Sequence, residues 1–278
     1  MHGNYKEKLS AALTSVALQT CVICTACAGH ASLLAQEAGQ RVTADTAVTT
    51  GLFETQDLVL GAMVVGTLIA IPPLDGVDQS VRLSVAGALD DRDVVARSLG
   101  RSLGSLPVAV GLTGGTFIVA GMTGHTSLRK AGLHGLEALL LAEAITQIVK
   151  FATGRPRPSI TSDSDEFYPL RLSADYHSFP SGHTSKVFAI AAAFSSGLKD
   201  EAPWVPYVAY PLATWTATTR VLDRRHWVTD VVAGAALGIL ASRVVGRLNH
   251  RGRSGGTAWY VLPGADGSIS VMVSAPAP

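Results

Sequence analysis

The residues best able to do chemistry lie in the stretch Thr219–Asp230. There Arg220 is followed by His226 and then by Asp230 in an R-x5-H-x3-D pattern. The apolar run that follows reads as a helix, which puts His226 and Asp230 at i and i+4 on one face. An aspartate so placed can accept a hydrogen bond from one imidazole nitrogen, fixing the tautomer and leaving the other nitrogen free to attack. Arg220 adds a planar fork suited to phosphate or carboxylate. Alone, a helical His-x-x-x-Asp is more often an exposed polar pair, and what raises the odds lies upstream. Lys150 ends an apolar segment, and Arg157-Pro158 follows after six intervening residues. Phe179-Pro180-Ser181-Gly182-His183 then opens the next helix. Three cations and two histidines therefore fall at the same ends of neighbouring helices. Pro-Ser-Gly at a helix start also offers backbone N–H groups to an anion, because the first turn has unsatisfied donors and a positive dipole.

In this order, K-x6-RP, PSGH and R-x5-H-x3-D resemble the three signatures of the type 2 phosphatidic acid phosphatase (PAP2) superfamily, shared with vanadium haloperoxidases and bacterial class A acid phosphatases. The resemblance covers roughly Leu106–Val245. Thr219 stands where that family usually has Ser, and it keeps the hydroxyl. The resemblance implies that Lys150, Arg157 and Arg220 hold the phosphoryl oxygens, with Ser181 and the backbone at Gly182 as further donors. It implies His226 as nucleophile, forming a phosphohistidine, Asp230 as its orienting partner, and His183 as general acid. It implies no metal and no cofactor, save vanadate in a haloperoxidase. Elementary chemistry agrees. A phosphate monoester carries about −1.5 to −2 charges. Three fixed cations would neutralise it and stabilise charge developing on the equatorial oxygens. A positioned proton donor adds typically about 10²–10⁴-fold.

Other polar residues have plainer readings. Lys150 by itself would be a snorkelling helix-end lysine. Arg155-Pro156 has the wrong spacing from Lys150 and is expected just behind the phosphate ligands. Of Arg224 and Arg225, at least one is expected at the surface. His177 reads as a loop residue, and His125, His134 and His250 as structural or solvated. Glu137 and Glu143 sit in an apolar helix, where carboxylates are costly unless paired, and are expected to be partners inside the bundle. Ser181 lacks the G-x-S-x-G elbow of a hydrolase nucleophile. His183, His226 and Asp230 could form a metal set, but no third dedicated ligand accompanies them and the cations argue against it.

The elements that must position these residues are apolar segments of helical length: Leu58–Ile71, Leu106–Met122, Ala131–Ile148, Val187–Leu198, Trp204–Thr218 and Val228–Val245. Most are shorter than the ~20 residues of a spanning helix. They are rich in Ala and Gly, which permits close helix packing. Of the 278 residues only 15% are charged, and the net charge is +1. Mean hydropathy is +0.31. The shortage of charge points to a membrane or a very apolar bundle, and the near-zero net charge gives no global pull toward nucleic acid. Lys6 and Lys8, an apolar run and Ala26-Cys27-Ala28 have the form of a cleaved secretory signal, with an anchor helix as the alternative. All three cysteines, Cys21, Cys24 and Cys27, fall in that run. Asp90–Asp93 with Arg92, Arg97 and Arg101 reads as a solvated amphipathic piece, and residues 258–274 as a β-hairpin turning at Pro263–Gly267. Arg129, Lys130, Arg243, Arg247, Arg251 and Arg253 fall at the helix ends opposite the candidate site, which sets those ends toward the cytoplasm. The count of crossings agrees if the signal is cleaved and Leu58–Ile71 does not span.

The expectation is thus an all-α, PAP2-type bundle of about six apolar helices, membrane-associated, with a short C-terminal hairpin. Its expected divisions are a signal or anchor at 1–35, a helical lead-in at 36–104, a phosphatase core at 105–250 and a tail at 251–278. The expected activity is hydrolysis of phosphate monoesters or diphosphates, lipid-borne ones such as phosphatidic acid or a polyprenyl diphosphate. A vanadate-dependent haloperoxidase or a phosphotransferase to a lipid or sugar hydroxyl is the alternative. Expected partners are the phosphorylated substrate and membrane lipids, with no nucleic acid. The expected location is the inner membrane with the site on the periplasmic side, or the periplasm as a soluble bundle.

Overall fold

The structure, a computed structural model, describes residues 55–86, 94–253, 258–263 and 269–274. The signal or anchor, the three cysteines and Asp90–Asp93 lie outside the described residues. Among the described residues the elements are α1 (Thr55–Ala86), α2 (Val94–Leu103), α3 (Leu106–Thr123), α4 (Thr126–Thr153), α5 (Gly182–Gly197), α6 (Val205–Leu222), α7 (Val228–Arg253), β1 (Ala258–Pro263) and β2 (Ile269–Ser274). The fold is all-α apart from β1 and β2, which pair antiparallel with Ala258 opposite Ser274.

Helix α5 is the central post. It packs on α4, α6 and α7, and from Thr184 to Ala193 every residue is buried. The approach of α7 depends on two glycines. A Cβ at Gly238 would come within 2.2 Å of the Ser185 carbonyl oxygen, and one at Gly234 within 2.6 Å of that of Ser181. This small-residue spacing lets two backbones touch. It also brings the start of α5 against the start of α7, where the Ser181 N–H donates to the Asp230 carbonyl (2.9 Å). The apolar core then fills in around the post. Val81, Val85, Val187, Phe188, Ala213, Val221 and Val231 form one cluster. Ala138, Ala142, Ala189 and Ala241 form another on the α4 side.

Helix α1 runs well beyond the apolar segment Leu58–Ile71 and packs along α7. The division at residue 104 therefore cuts off a helix that belongs to the bundle. It is longer than its apolar run because Asp78, at 1% exposure, is carried inside by partners on other elements. Among the described residues three stretches are long and apolar enough to cross a membrane: Thr55–Val85, Leu106–Thr123 and Val228–His250. The first of these runs against the expectation that Leu58–Ile71 does not cross. Only 11% and 17% of the apolar windows in the first two are buried, against 72% in the third. Helices α1 and α3 thus present apolar flanks outward, whereas α7 is enclosed. Arg243 and Arg247, near the end of α7, pair with Asp57 at the start of α1.

Candidate active site

Each motif reaches the site from the end of an element. Lys150 lies in the last turn of α4. Gly154 then turns the chain at φ 58°, with its N–H on the Lys150 carbonyl (2.9 Å). A Cβ there would lie 1.7 Å from the Tyr168 carbonyl oxygen, so only glycine fits. Arg157 follows on the loop. Ser181 caps α5, with Gly182 and His183 in its first turn. Arg220 is in the last turn of α6, and Asp230 in the first turn of α7. His226 sits in the turn before α7, since the helix starts at Val228 and not at the histidine. These ends converge. The charges of Arg220, Lys186, His226 and Lys150 all act on His183, and those of Lys150 and Arg157 on His226.

Because His226 precedes the helix, its ring is held differently from the i, i+4 expectation. Nδ1 lies 2.8 Å from the Ser178 carbonyl oxygen. The nearest Asp230 oxygen is 3.6 Å away, beyond a good hydrogen bond. A carbonyl can only accept, so Nδ1 carries the proton and Nε2 keeps its lone pair. Asp230 acts at one remove. Its Oδ2 accepts from the Ser178 hydroxyl and from the Trp227 N–H (2.9 Å), which fixes the segments on both sides of the ring. Its Oδ1 accepts from Arg155 Nη1 (2.5 Å). Burial, then the Lys150 and Arg157 cations, push the His226 imidazole down to about 4, against the pull of Asp230. It is therefore neutral at pH 7, as a nucleophile must be.

The three cations are differently employed. Lys150 is buried, and burial, then Arg157 and Lys186, lower its ammonium to about 8. Among the described residues no carboxylate lies within 4 Å of its Nζ. Arg157 is half-buried, and its Nε is enclosed without a partner. Arg220 spends Nη2 on Asp223 (2.8 Å) and approaches the Thr219 hydroxyl with Nε and Nη2 (3.4 and 3.3 Å). Asp223 is shared with Arg97 (3.6 Å) and Arg101 (3.3 Å) of α2. Arg101 is exposed, as a solvated piece would be, whereas Arg97 is largely covered; both nevertheless reach Asp223 behind Arg220. The Ser181 hydroxyl accepts from Thr184 (2.9 Å) and keeps its proton for another acceptor. Burial first, then Arg220 and Lys186, hold the His183 imidazole well below its ordinary range. The turn after α2 covers it: a Cβ on Gly104 would lie 2.7 Å from His183 Cβ.

Sequence reasoning placed Arg155 just behind the ligands and missed how much it does. It is fully buried. Its guanidinium bonds Asp230, Thr229 (2.8 Å), Asp78 (2.9 Å) and the Ser164 carbonyl (2.7 Å) and lies over the Trp227 ring. Asp78 of α1, Ser178 and Lys186 were not singled out at all. For Asp78 a signal existed: a carboxylate within a long apolar helix, the reading applied to Glu137 and Glu143. Those two are paired inside the bundle, Glu137 with Asn249 (2.7 Å) and Glu143 with Lys186 (2.5 Å). His177 bonds the Arg171 carbonyl within its own loop (2.7 Å) and His134 the Ser242 carbonyl (2.8 Å). Arg225 is exposed, whereas Arg224 is half-buried and donates to the Pro158 carbonyl (3.3 Å).

The model of the PAP2 superfamily matches residues 131–253, which hold all three motifs. Residues 131–253 are a PAP2 superfamily segment. The chain is 36% identical over 129 residues to a probable lipid phosphate phosphatase beta of Arabidopsis thaliana, covering 38% of this chain and 59% of that one. It is 35% identical over 95 residues to a lipid A 1-phosphatase of Porphyromonas gingivalis, covering 34% and 18%. The chain thus spans less than two thirds of the length of these relatives. The crystal structure of a transmembrane PAP2-type phosphatidylglycerolphosphate phosphatase from Bacillus subtilis superimposes with a TM-score of 0.59 at 20% identity, over 71% of this chain and 97% of that one. That likeness extends the PAP2 fold beyond the matched segment. With its three long apolar helices, the chain is a membrane protein.

Proposed function

We propose that the chain is a phosphatase for lipid-borne phosphate monoesters or diphosphates. The observation that carries this is the meeting of Lys150, Arg157 and Arg220 around a neutral, buried His226 with His183 beside it. The lipid phosphatases among its relatives support the substrate class. The phosphoryl oxygens lie among Lys150, the free edges of Arg157 and Arg220, the Ser181 hydroxyl and the Gly182 N–H. His226 Nε2 attacks phosphorus, the ester P–O bond breaks, and the leaving oxygen takes a proton from His183. Water then attacks the phosphohistidine and gives its proton to His183. The P–N bond breaks and orthophosphate departs.

His183 must be protonated when substrate is bound, although burial and the surrounding cations favour its neutral form. Burial is the first cause and persists, but Arg220 and Lys150 also hold the proton off, and a phosphate dianion offsets those two charges, so substrate favours its own proton donor. The reaction uses no metal. The site faces outward from the cytoplasm, since Arg129, Lys130, Arg243 and Arg247 cluster at the opposite helix ends. The N-terminal run is a secretory signal or anchor consistent with that orientation.

The test is orthophosphate release by the detergent-purified chain from phosphatidic acid, a polyprenyl diphosphate and p-nitrophenyl phosphate. His226→Ala is expected to abolish release from all three. His183→Ala should cost about 10²-fold or more on the lipids and less on p-nitrophenyl phosphate, whose leaving group needs little protonation. Mild and equal losses in both variants would refute the roles.

A further inference from the structure

The PAP2 motifs leave one buried charged group of the site without a role. Lys186 lies one turn past His183 on α5 and is 4% exposed. Its ammonium meets the Glu143 carboxylate of α4 at 2.5 Å, and Gln147 donates to the other oxygen of that carboxylate (2.5 Å). The pair adjoins the phosphate cradle. A Cβ at Gly182 would stand 3.5 Å from Lys150 Nζ and 3.6 Å from Lys186 Nζ, so the two ammonium groups flank one point. They differ in one respect: Lys186 has a carboxylate, and among the described residues Lys150 has none within 4 Å.

Glu143 and Lys150 are both on α4, seven residues apart and so on the same face, about 10 Å along the axis. That is within the combined reach of the two side chains. A buried cation without a counter-ion draws in any carboxylate it can reach, and the charge of Glu143 already acts on Lys150.

We propose that Lys186 is a positioning residue for phosphate binding: by engaging Glu143 it keeps that carboxylate from pairing with Lys150, and so leaves the Lys150 ammonium for the substrate. The inference rests on the reading of Lys150 as a phosphate ligand. It gives Glu143 a negative role, as a competitor for Lys150 that must be occupied. It also explains why two buried lysines stand beside a single half-buried carboxylate where an ordinary ion pair would need one lysine.

The test compares the full-length chain in detergent with Lys186→Met, Lys186→Arg, Glu143→Gln and the Lys186→Met/Glu143→Gln double variant. Two readouts are used: orthovanadate binding by calorimetry, and KM and kcat on phosphatidic acid. Lys186→Met should weaken vanadate binding and raise KM by roughly ten- to a hundredfold, as displacement of a binding group does, with a smaller change in kcat. Lys186→Arg should keep the pair and stay near wild type. The double variant should bind vanadate more tightly than Lys186→Met, because the competitor is gone with its partner. A purely structural pair also recovers in the double variant, but in melting temperature alone; it predicts no difference in vanadate affinity between the double variant and Lys186→Met. That result, or a Lys186→Met variant that binds like wild type, overturns the inference. If Lys186→Met does not fold, Glu143→Gln decides alone: it should bind vanadate at least as tightly as wild type, and a tenfold weakening overturns the proposal. A wild-type chain that binds vanadate but releases no phosphate would refute the phosphatase reading while leaving this comparison intact. A wild-type chain that does neither refutes both.

Discussion

At the scale of single residues, Arg155 is the side chain on which the site's geometry turns. It is the shared counter-ion of Asp78 and Asp230, both buried. Removing one partner of a buried pair leaves an uncompensated charge and costs about 3–5 kcal/mol. Arg155→Met is therefore expected to destabilise the chain by about that amount, read as a fall in detergent-solubilised melting temperature. Arg155→Lys should recover little, because a lysine cannot bond two carboxylates, a carbonyl and a hydroxyl from one planar group. His226 gives a second expectation. Its folded value of about 4 lies below the ordinary 6.5. Between those values the unfolded chain binds the extra proton, so stability rises with pH across that window and is lost as pH falls through it. The contribution is on the order of 3 kcal/mol. Melting temperature should drop on acidification from about pH 6.5 to pH 4, and His226→Gln should flatten that slope. A wild-type slope unchanged in the variant would contradict the buried neutral imidazole.

At the scale of elements, the site depends on how closely helix ends approach one another. Gly104, in the turn between α2 and α3, leaves room for His183 and nothing more. Gly104→Ala is expected to displace the His183 ring and lower kcat on a lipid phosphate by about tenfold or more, with a loss of stability of about 1–3 kcal/mol from overpacking at this buried position. Gly238 is different in kind, since it lies where α7 crosses the backbone of α5. Which apolar segments become helices was legible from their length and Ala/Gly content. Their ends were less so: α1 continues past Ile71 to Ala86, and α7 starts after His226. The cause is tertiary in both cases. Asp78 can be helical inside the bundle because Arg155 and Thr229 meet it, and the turn at His226 is pinned by Ser178 and Asp230.

At the scale of the whole molecule, the apolar outer faces of α1 and α3 surround an enclosed post made by α5 and α7. The chain is expected to stay in the membrane pellet after a carbonate wash, with phosphatase activity in the same fraction. Recovery of the active chain in the wash would contradict the reading of Thr55–Val85 and Leu106–Thr123 as spans.

The sequence by itself determined the chemistry: cations, two imidazoles and a carboxylate at helix-end spacings, which carry their charges and proton affinities wherever they are brought together. It also determined that the chain would be a bundle of apolar helices, because periodicity and small residues are local properties. The tertiary structure alone decided that Ser178 holds the His226 ring, that Asp230 acts through Ser178 and Trp227, that Arg155 binds Asp78 and Asp230 together, and that Lys186 engages Glu143. These pairings join residues as far apart in the chain as Asp78 and Thr229, separated by 151 positions. No local spacing encodes such a pair; it exists because burial makes an unpaired charge costly and close helix packing brings its partners from distant parts of the chain.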